Sequence, residues 1–225
     1  MYKALFFDID DTLLNYERCS REALRKTLHC FNILDNDKAN EFFRLIDIQL
    51  WTKQKQGELS VNDVLEMRFS QLFERLGIRE YNPKFQFAYQ EKLAKEFITE
   101  PNAVETIQYF SIRYKIFAAS NGILKMQQKR MESAGLLQYF SDLFVSDDIG
   151  YEKPCVYFFN ECLKRSQLKN SEVLFIGDSI EADIVGAYNS GIASCWYNPK
   201  RKDNYSRAKI SYTISDLSEL RTILQ

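Results

Sequence analysis

Two aspartates separated by one residue follow a short apolar run near the start of the chain. The run Ala4–Phe7 leads directly into Asp8-Ile-Asp10, and the hydroxyl of Thr12 follows two residues later. A short apolar run that ends abruptly in charge is typical of the carboxyl end of a central parallel strand. Open α/β sheets place their reactive groups in the crevice at that edge. Two carboxylates there could supply a nucleophile, an acid or base, and oxygen ligands for a hard cation.

Further polar residues lie where later predicted strands end or helices begin. They are Ser120, Asn121 and Gly122 after one strand, Lys153 before a helix, and Asp178 and Asp183 at and after another strand. These side chains converge only if the sheet brings its strand ends together. A carboxylate can attack phosphorus to give an aspartyl-phosphate, and the charge of that reaction requires a cation and fixed donors. Magnesium, which prefers six oxygen ligands, suits such a site.

The remaining chain predicts the elements that position these residues. Apolar side chains recur at helical spacing over residues 17–96, with a capping box at Ser60 to Asp63 and a helix start at Pro83. This block is too long for a simple crossover between neighbouring strands. Downstream, strands are predicted at 115–120, 143–146, 173–177, 193–197 and 212–214, and helices at 102–111, 124–133, 154–165 and 181–189, before a terminal helix. Alternating strands and helices indicate a parallel sheet covered on both faces.

The predicted fold is therefore α/β, a Rossmann-like doubly wound parallel sheet with an inserted helical domain. We expect the core to comprise residues 1–16 and 97–225, and the insertion to comprise residues 17–96. With 225 residues, of which 45% are hydrophobic, the chain can bury a full core.

Charge and apolar patterning disfavour several classes of protein. Thirty basic and 31 acidic residues leave a net charge of −1, which argues against a dedicated nucleic-acid or membrane surface. The longest apolar runs have strand length, so we expect neither a membrane span nor a signal peptide. Five cysteines without a CxxC spacing favour free, mostly buried thiols in the cytoplasm. The only histidine, His29, lies in a helical stretch without a nucleophile elbow, which argues against a Ser-His-Asp triad.

The polar segments, taken together, resemble a known family. The segments Asp8-x-Asp10-x-Thr12, Ser120-Asn121, Lys153-Pro154 and Gly177-Asp178-x₄-Asp183 resemble the four motifs of the haloacid-dehalogenase superfamily, in order and at suitable spacing. The resemblance covers the whole chain and includes a helical C1-type cap inserted after the first motif. It implies a magnesium-dependent phosphomonoester hydrolase that works through an aspartyl-phosphate.

The resemblance also implies roles for the catalytic residues. Asp8 would be the nucleophile and would bind Mg²⁺ through its second oxygen. Asp10 would protonate the leaving oxygen and then deprotonate the hydrolytic water, while its backbone carbonyl would bind the metal. Lys153 would balance charge between Asp8 and the phosphoryl group, and Thr12 would help to fix the loop around that group.

The other motif residues would bind phosphate and metal. Ser120 and the backbone amides of Asn121 and Gly122 would hold phosphoryl oxygens. Asp178 would be the third protein ligand to Mg²⁺. Asp183 would be an outer or occasional ligand, or a partner for Lys153.

Each of these residues also has a simpler interpretation when it is taken alone. Asp178 could cap a helix, residues 120–122 could form a turn, and Lys153 could be a solvated surface residue. The order and spacing of all four motifs favour the catalytic interpretation. Asp11 and Asp148 are interpreted as local turn or cap residues.

Asp10 and the segment after it favour one reaction among those that the superfamily catalyses. Members of the superfamily that displace halide lack an aspartate at the position of Asp10, so its presence favours phosphoryl transfer. Mutases usually carry basic residues just after the first motif, whereas this chain has the segment 13–17 with none. Hydrolysis is therefore favoured, with a sugar-phosphate phosphatase or phosphoglucomutase-like enzyme as the alternative.

The cap suggests a substrate class. The segments 50–51, 55–60 and 67–69, and 194–198 in the core, resemble those of bacterial pyrimidine nucleotidases, although Asp47 and Gln49 stand where an asparagine is expected. This resemblance implies 5′-nucleotidase activity on dUMP, UMP or dTMP. Trp51 and Tyr16 are candidate contacts for the base, although Trp51 also lies at a helix-packing position. Arg68 could bind a phosphate or a base, or form a surface ion pair.

Two rival classes are less consistent with the sequence. A receiver-type signalling domain also groups acidic residues with a Ser or Thr and a Lys around magnesium, but it would be about half this length. A catalytically silent phosphate-binding protein on the same scaffold would not need Asp8, Asp10, Lys153 and Asp178 together. The expected partner is a small phosphate ester, with neither nucleic acid nor membrane, and the oligomeric state is left open.

Overall fold

Six short strands form the centre of the protein. In the computed structural model, which describes residues 2–35 and 37–224, they are β1 (Ala4–Phe7), β2 (Lys115–Ser120), β3 (Asp142–Val145), β4 (Val173–Gly177), β5 (Ala193–Tyr197) and β6 (Tyr212–Ile214). They pair in parallel in the order β3-β2-β1-β4-β5-β6. The strands belong to a unit made of Met1–Asn15 and Ile98–Gln225, and a second unit comprises Tyr16–Phe97.

Helices cover both faces of the sheet. They are α5 (Ala103–Ser111), α6 (Leu124–Ser133), α7 (Ser146–Ile149), α8 (Val156–Ser166), a π-helical segment Ile180–Val185 that continues into α9 (Gly186–Asn189), and α10 (Leu220–Ile223). Side chains of β1 alternate between two apolar clusters. Leu5 and Phe7 pack with residues of α5, α6 and α10, whereas Ala4 and Phe6 pack with residues of α8 and α9. All of β1 is buried, as expected for a central parallel strand.

The register of the central strands brings three strand ends together. Phe7, the last residue of β1, pairs with Ala118 of β2 and Ile176 of β4. The N–H of Asp8 donates to the carbonyl of Ile176 at 2.8 Å, which extends the pairing by one residue. Residues that follow β1, β2 and β4 therefore lie at the same edge. This parallel, doubly wound sheet confirms the predicted fold class.

The described residues of the second unit form four helices. They are α1 (Tyr16–Cys30), α2 (Asp37–Lys55), α3 (Val61–Arg75) and α4 (Lys84–Leu93). Ser60 caps α3 as predicted: the Asp63 N–H donates to Ser60 Oγ at 3.1 Å, and the Ser60 N–H donates to the Asp63 carboxylate at 2.8 Å. The ring of Phe69 lies 4.9–5.2 Å from the rings of Phe43, Phe85 and Tyr89, which form an aromatic core.

Some boundaries differ from the predicted ones. The helix expected from Pro154 begins at Val156, and the side chain of Asn121 binds the backbone of Lys153 just before it. The helix expected to run from Pro83 toward Phe97 ends at Leu93. The helix expected over 181–189 begins with a π-helical turn at Ile180.

Two further expectations concern membranes and thiols. Among the helices of residues 2–35 and 37–224, none combines the length and apolar character needed to cross a membrane. The five cysteines are all free, and three of them, Cys19, Cys162 and Cys195, are buried. Free thiols, mostly buried, agree with the prediction.

Candidate active site

The loop after β1 presents two carboxylates from a tight turn. The N–H groups of Leu13 and Leu14 both donate to the carbonyl of Ile9 at 2.9 Å. Asp11, with φ 58°, takes the left-handed conformation that the turn requires. The buried Asp8 carboxylate accepts a hydrogen bond from Oγ1 of Thr12 at 3.2 Å through Oδ2. Thr12 thus fixes one oxygen of the predicted nucleophile.

Lys153 joins two of the predicted acidic residues. Its buried Nζ donates to Oδ1 of Asp8 at 2.6 Å, to Oδ1 of Asp183 at 2.7 Å and to the carbonyl of Ala119 at 2.8 Å. The ammonium group has three protons, and each of them therefore has an acceptor. The Asn121 side chain exchanges two hydrogen bonds with the Lys153 backbone, at 2.8 and 2.9 Å, so it positions Lys153.

Three carboxylates form a group that could hold a metal ion. Oxygen atoms of Asp8, Asp178 and Asp183 all lie within 4.8 Å of one another. Three such ligands fit a hard divalent cation such as Mg²⁺. Lys153 is the cation that pairs with two of them, and three carboxylates against one lysine leave an excess of negative charge that a divalent ion would neutralise. The predicted outer residue, Asp183, thus belongs to the same group as Asp8 and Asp178.

Asp183 is fixed by the end of β4. Its Oδ2 accepts a hydrogen bond from the Ser179 N–H at 3.0 Å. A β-carbon on Gly177 would lie only 2.3 Å from the same oxygen and 2.5 Å from Cγ of Asp183. Only glycine therefore allows the carboxylate to lie against the strand. The indole N–H of Trp196 donates to the backbone carbonyl of Asp178 at 2.9 Å, which holds the second acidic residue of this loop.

Burial and charge act in opposite directions on Asp8. Burial raises the pKa of Asp8 to about 7, Lys153 opposes the rise, and Asp183 and Asp10 add to it. For Lys153, burial by itself lowers the pKa, but Asp183 and Asp8 raise it above its ordinary value. Lys153 is therefore an ammonium ion at neutral pH, and the apo site stabilises the carboxylate of Asp8 poorly. A bound cation would supply the missing stabilisation.

The last residue of β2, Ser120, contributes a buried hydroxyl. Its Oγ accepts a hydrogen bond from Nε2 of Gln127 at 2.9 Å and donates to the carbonyl of Asn121 at 3.3 Å. The Gly122 N–H, predicted to bind a phosphoryl oxygen, donates to Oγ of Ser146 at 2.9 Å. Ser146 is the first residue of α7 and directly follows β3.

Asp10 lies in a different set of contacts from Asp8. Its carboxylate accepts hydrogen bonds from Nη1 of Arg130 at 2.5 Å and from Nε2 of Gln127 at 2.7 Å. It does not join the acidic group of Asp8, and its predicted metal contact uses the backbone carbonyl instead. Sequence reasoning missed Gln127 and Arg130. Their spacing of three residues puts them on one face of α6, but polar residues on a helix usually indicate a solvated face.

Comparisons with known proteins give one family. The haloacid dehalogenase-like hydrolase family matches residues 2–191. The HAD-hydrolase YfnB of Bacillus subtilis is 33% identical over 99% of this chain and 95% of its own. The crystal structure of YfnB bound to magnesium, which reveals interdomain movement in that protein, superposes with a TM-score of 0.94 at 31% identity, covering 100% of this chain and 99% of that one.

Two other relatives act on different phosphate esters. Pyrimidine 5′-nucleotidase PynA of Streptococcus pneumoniae is 30% identical over 97% of this chain and 93% of its own. A glyceraldehyde 3-phosphate phosphatase of Methanothermobacter thermautotrophicus is 29% identical over the full length of both chains. Similarity at this level therefore extends to both nucleotide and sugar-phosphate enzymes.

Proposed function

Because the chain belongs to the haloacid dehalogenase-like hydrolases, we propose that it hydrolyses phosphate monoesters with Mg²⁺ as cofactor. The main support is the arrangement around Asp8, whose buried carboxylate pairs with Lys153 and lies in one group with Asp178 and Asp183. A buried carboxylate between a fixed cation and further metal-binding oxygens is suited to nucleophilic attack on phosphorus.

In the first step a carboxylate oxygen of Asp8 attacks the phosphorus atom. The bond between phosphorus and the ester oxygen breaks, the leaving oxygen takes a proton from Asp10, and Asp8 becomes an acyl phosphate. Lys153 and the hydroxyl of Ser120 stabilise the charge on the phosphoryl oxygens. Lys153 already has its position fixed by three acceptors and by Asn121, so little reorganisation is needed during the reaction.

In the second step Asp10 removes a proton from a water molecule, which attacks the phosphorus atom of the acyl phosphate. Cleavage releases inorganic phosphate and restores the carboxylate of Asp8. Asp10 therefore alternates between acid and base, as the two halves of the reaction require. The side chain of Asp10 is 27% exposed, so it is accessible to a leaving group and to water.

Asp8 and Asp178 would hold Mg²⁺, with Asp183 beside them and with the backbone carbonyl of Asp10 as a further proposed ligand. When bound, the cation supplies positive charge that neutralises the phosphoryl group and the clustered carboxylates. The fit rests on the three carboxylates within 4.8 Å of one another.

For the substrate we propose a pyrimidine nucleoside monophosphate such as dUMP, UMP or dTMP. The support is the likeness of the cap segments around Leu50-Trp51 to those of pyrimidine nucleotidases and the overall likeness to PynA. Tyr16 and Trp51 are the candidate contacts for the base, since base stacking on an aromatic ring contributes about 1–3 kcal/mol in single-strand sites. A sugar-phosphate phosphatase is the second candidate, favoured by the glyceraldehyde 3-phosphate phosphatase relative.

Five free cysteines support a cytoplasmic location.

A phosphate-release screen tests both parts of the proposal. The purified protein is assayed with dUMP, UMP, dTMP and a set of sugar phosphates, with Mg²⁺ or with EDTA. We expect the wild-type protein to release phosphate only with Mg²⁺, and fastest from the pyrimidine nucleotides. The Asp8→Asn variant should release no phosphate. Activity restricted to sugar phosphates would make them the substrate class in place of pyrimidine nucleotides. Near-wild-type turnover by Asp8→Asn would contradict the assignment of Asp8 as the nucleophile.

A further inference from the structure

We propose that Gln127 and Arg130 are positioning residues that orient the carboxylate of Asp10 for proton transfer. Both lie on α6, at the edge where β2 ends, and nothing in the four motifs points to either of them. This inference rests on the proposed phosphatase function, since it concerns how Asp10 serves as acid and base there.

The contacts hold both oxygens of Asp10. Nη1 of Arg130 donates to Oδ1 at 2.5 Å, and Nε2 of Gln127 donates to Oδ2 at 2.7 Å. Gln127 and Arg130 are both completely buried, whereas the Asp10 side chain is 27% exposed. The two donors therefore hold the carboxylate from the protein side and leave its other side accessible.

The hydrogen-bond inventory of Gln127 leaves one orientation for its amide group. Nε2 has two protons, which go to Asp10 Oδ2 at 2.7 Å and to Ser120 Oγ at 2.9 Å. Oε1 accepts from Nη1 of Arg130 at 3.0 Å. A carboxylate only accepts hydrogen bonds, so the amide nitrogen must face Asp10. Each of the three side chains thus restricts the rotation of the others.

The network also joins the acid to the phosphate-binding hydroxyl. Gln127 bridges Asp10 and Ser120, whose Oγ is proposed to bind a phosphoryl oxygen. The geometry of the proton donor is therefore linked to that of the phosphoryl group. Proton transfer requires the donor within hydrogen-bond reach of its target, so a small rotation of Asp10 would slow the step that it assists.

A purely structural role explains less well why Gln127 and Arg130 are buried. Replacing a buried ion pair with apolar side chains of similar volume is often neutral or stabilising. Complete burial of Arg130 is therefore costly for stability alone, but it gives Asp10 a fixed planar donor. Together with Gln127, which holds Oδ2, Arg130 at Oδ1 fixes both the position and the rotation of the carboxylate.

A comparison of rates on two substrates with different leaving groups distinguishes a loss of Asp10 positioning from a general loss of active-site structure. The p-nitrophenolate of p-nitrophenyl phosphate leaves without much protonation, whereas the alcohol of dUMP needs a proton from Asp10. Loss of the correct Asp10 geometry should therefore slow phosphoryl transfer to Asp8 far more from dUMP than from p-nitrophenyl phosphate, whereas the later water step is the same for both substrates. If dUMP is not a substrate, the sugar phosphate that the wild-type protein hydrolyses best takes its place.

The test compares Gln127→Leu and Arg130→Met with Gln128→Leu and Lys129→Met, which alter exposed neighbours on the same helix. For the two buried positions we expect kcat/KM on the alkyl phosphate to fall about 10²-fold, within the range of general acid catalysis. On p-nitrophenyl phosphate we expect kcat/KM to fall less than about 10-fold, because kcat/KM reports the transfer to Asp8 and not the later water step. The exposed variants should match the wild type on both substrates.

A double variant tests whether Gln127 acts through Asp10. Asp10→Asn should show the same leaving-group pattern, and Asp10→Asn with Gln127→Leu should be no slower than Asp10→Asn alone. Equal losses on the two substrates, or losses that multiply in the double variant, would overturn the proposal. If Gln127→Leu does not fold, Gln127→Asn keeps the polarity of the site and shortens the reach of the amide.

A crystal structure of the Gln127 variant provides a readout without activity. We expect the Asp10 carboxylate to rotate away from its wild-type position while the turn at residues 11–14 stays in place. An unmoved carboxylate would overturn the inference even in an active enzyme. Failure of the wild-type protein to hydrolyse any phosphate ester would instead refute the proposed function, so the two failures are distinguishable.

Discussion

Nζ of Lys153 lies 2.6 Å from Oδ1 of Asp8, although the two residues are 145 positions apart in the chain. The contact depends on the end of β2 as well, because the Asn121 side chain binds the Lys153 backbone through two hydrogen bonds. The lysine therefore reaches Asp8 from a backbone position that a second strand end determines.

Replacing Lys153 should impair both catalysis and stability. In Lys153→Met we expect kcat to fall about 10²–10³-fold, as when one fixed donor is removed from a charge-stabilising site. The free energy of unfolding should fall by about 3–5 kcal/mol, because Asp8 and Asp183 lose their buried cation. Steady-state kinetics and urea denaturation measure the two effects. The control is Lys164→Met on α8, whose exposed ammonium pairs with Glu161; equal effects of both changes would contradict the role of Lys153.

Gly177 should not tolerate a methyl group while Asp183 is present. The added β-carbon of Gly177→Ala would lie 2.3 Å from Oδ2 of Asp183 and would displace the carboxylate from Lys153. We expect lower thermal stability and loss of turnover. A double-mutant cycle for stability checks the cause, since Gly177→Ala should cost less in the Asp183→Ala background, where the clash is absent. Simple additivity of the two changes would contradict this explanation.

Magnesium should stabilise the folded protein through the acidic group. A ligand that binds only the folded state stabilises it by about 2.7 kcal/mol at one hundred times its Kd, so Tm should rise with added MgCl₂. In Asp178→Asn the rise should be much smaller, because one of the three carboxylates is lost. Asp203→Asn, which changes an exposed acid elsewhere in the same unit, should keep the full rise. A full rise in Asp178→Asn would contradict the metal site.

Asp8 should make the stability of the metal-free protein depend on pH. Burial raises the pKa of Asp8 from 3.8 to about 7, so the folded state holds its proton more tightly than the unfolded state does. The resulting stabilisation is fully present below the unfolded value of 3.8 and is lost as pH rises toward about 7. In EDTA, Asp8→Asn should therefore show a smaller loss of stability over this interval than the wild type. Denaturation at several pH values measures the difference, and parallel curves would contradict the assignment.

Arg68 has a defined set of contacts in the second unit, whereas Tyr16 and Trp51 remain predicted contacts for the base. In the second unit, Nη1 of Arg68 donates to the Tyr16 hydroxyl at 3.4 Å, and its guanidinium lies over the rings of Phe69 and Tyr89. A salt bridge of 3.7 Å to Asp47 completes these contacts of the buried Arg68. The sequence suggested a surface ion pair as one role for Arg68; the structure shows the ion pair with Asp47, but it is buried and not at the surface.

The local sequence determined the strands and the residues that end them. An apolar run followed by charge is a property of neighbouring residues, so the ends of β1 and β4 at Asp8 and Asp178 could be predicted directly. The alternation of strands and helices then implied parallel pairing, and parallel pairing brings those ends to one edge. Lys153 and Ser120 were identified by the resemblance of the four motifs, in order, to those of the superfamily.

Only the tertiary structure decided which side chains are buried beside these residues. Gln127 and Arg130 have the composition of a solvated helix face, and only the packing of α6 places them on Asp10. The contact between Ser146 and Gly122, and that between Asn121 and Lys153, likewise join segments that are far apart in sequence. A buried polar group must find a partner, and that partner depends on how helices pack against the strand ends, which no short segment of the chain encodes.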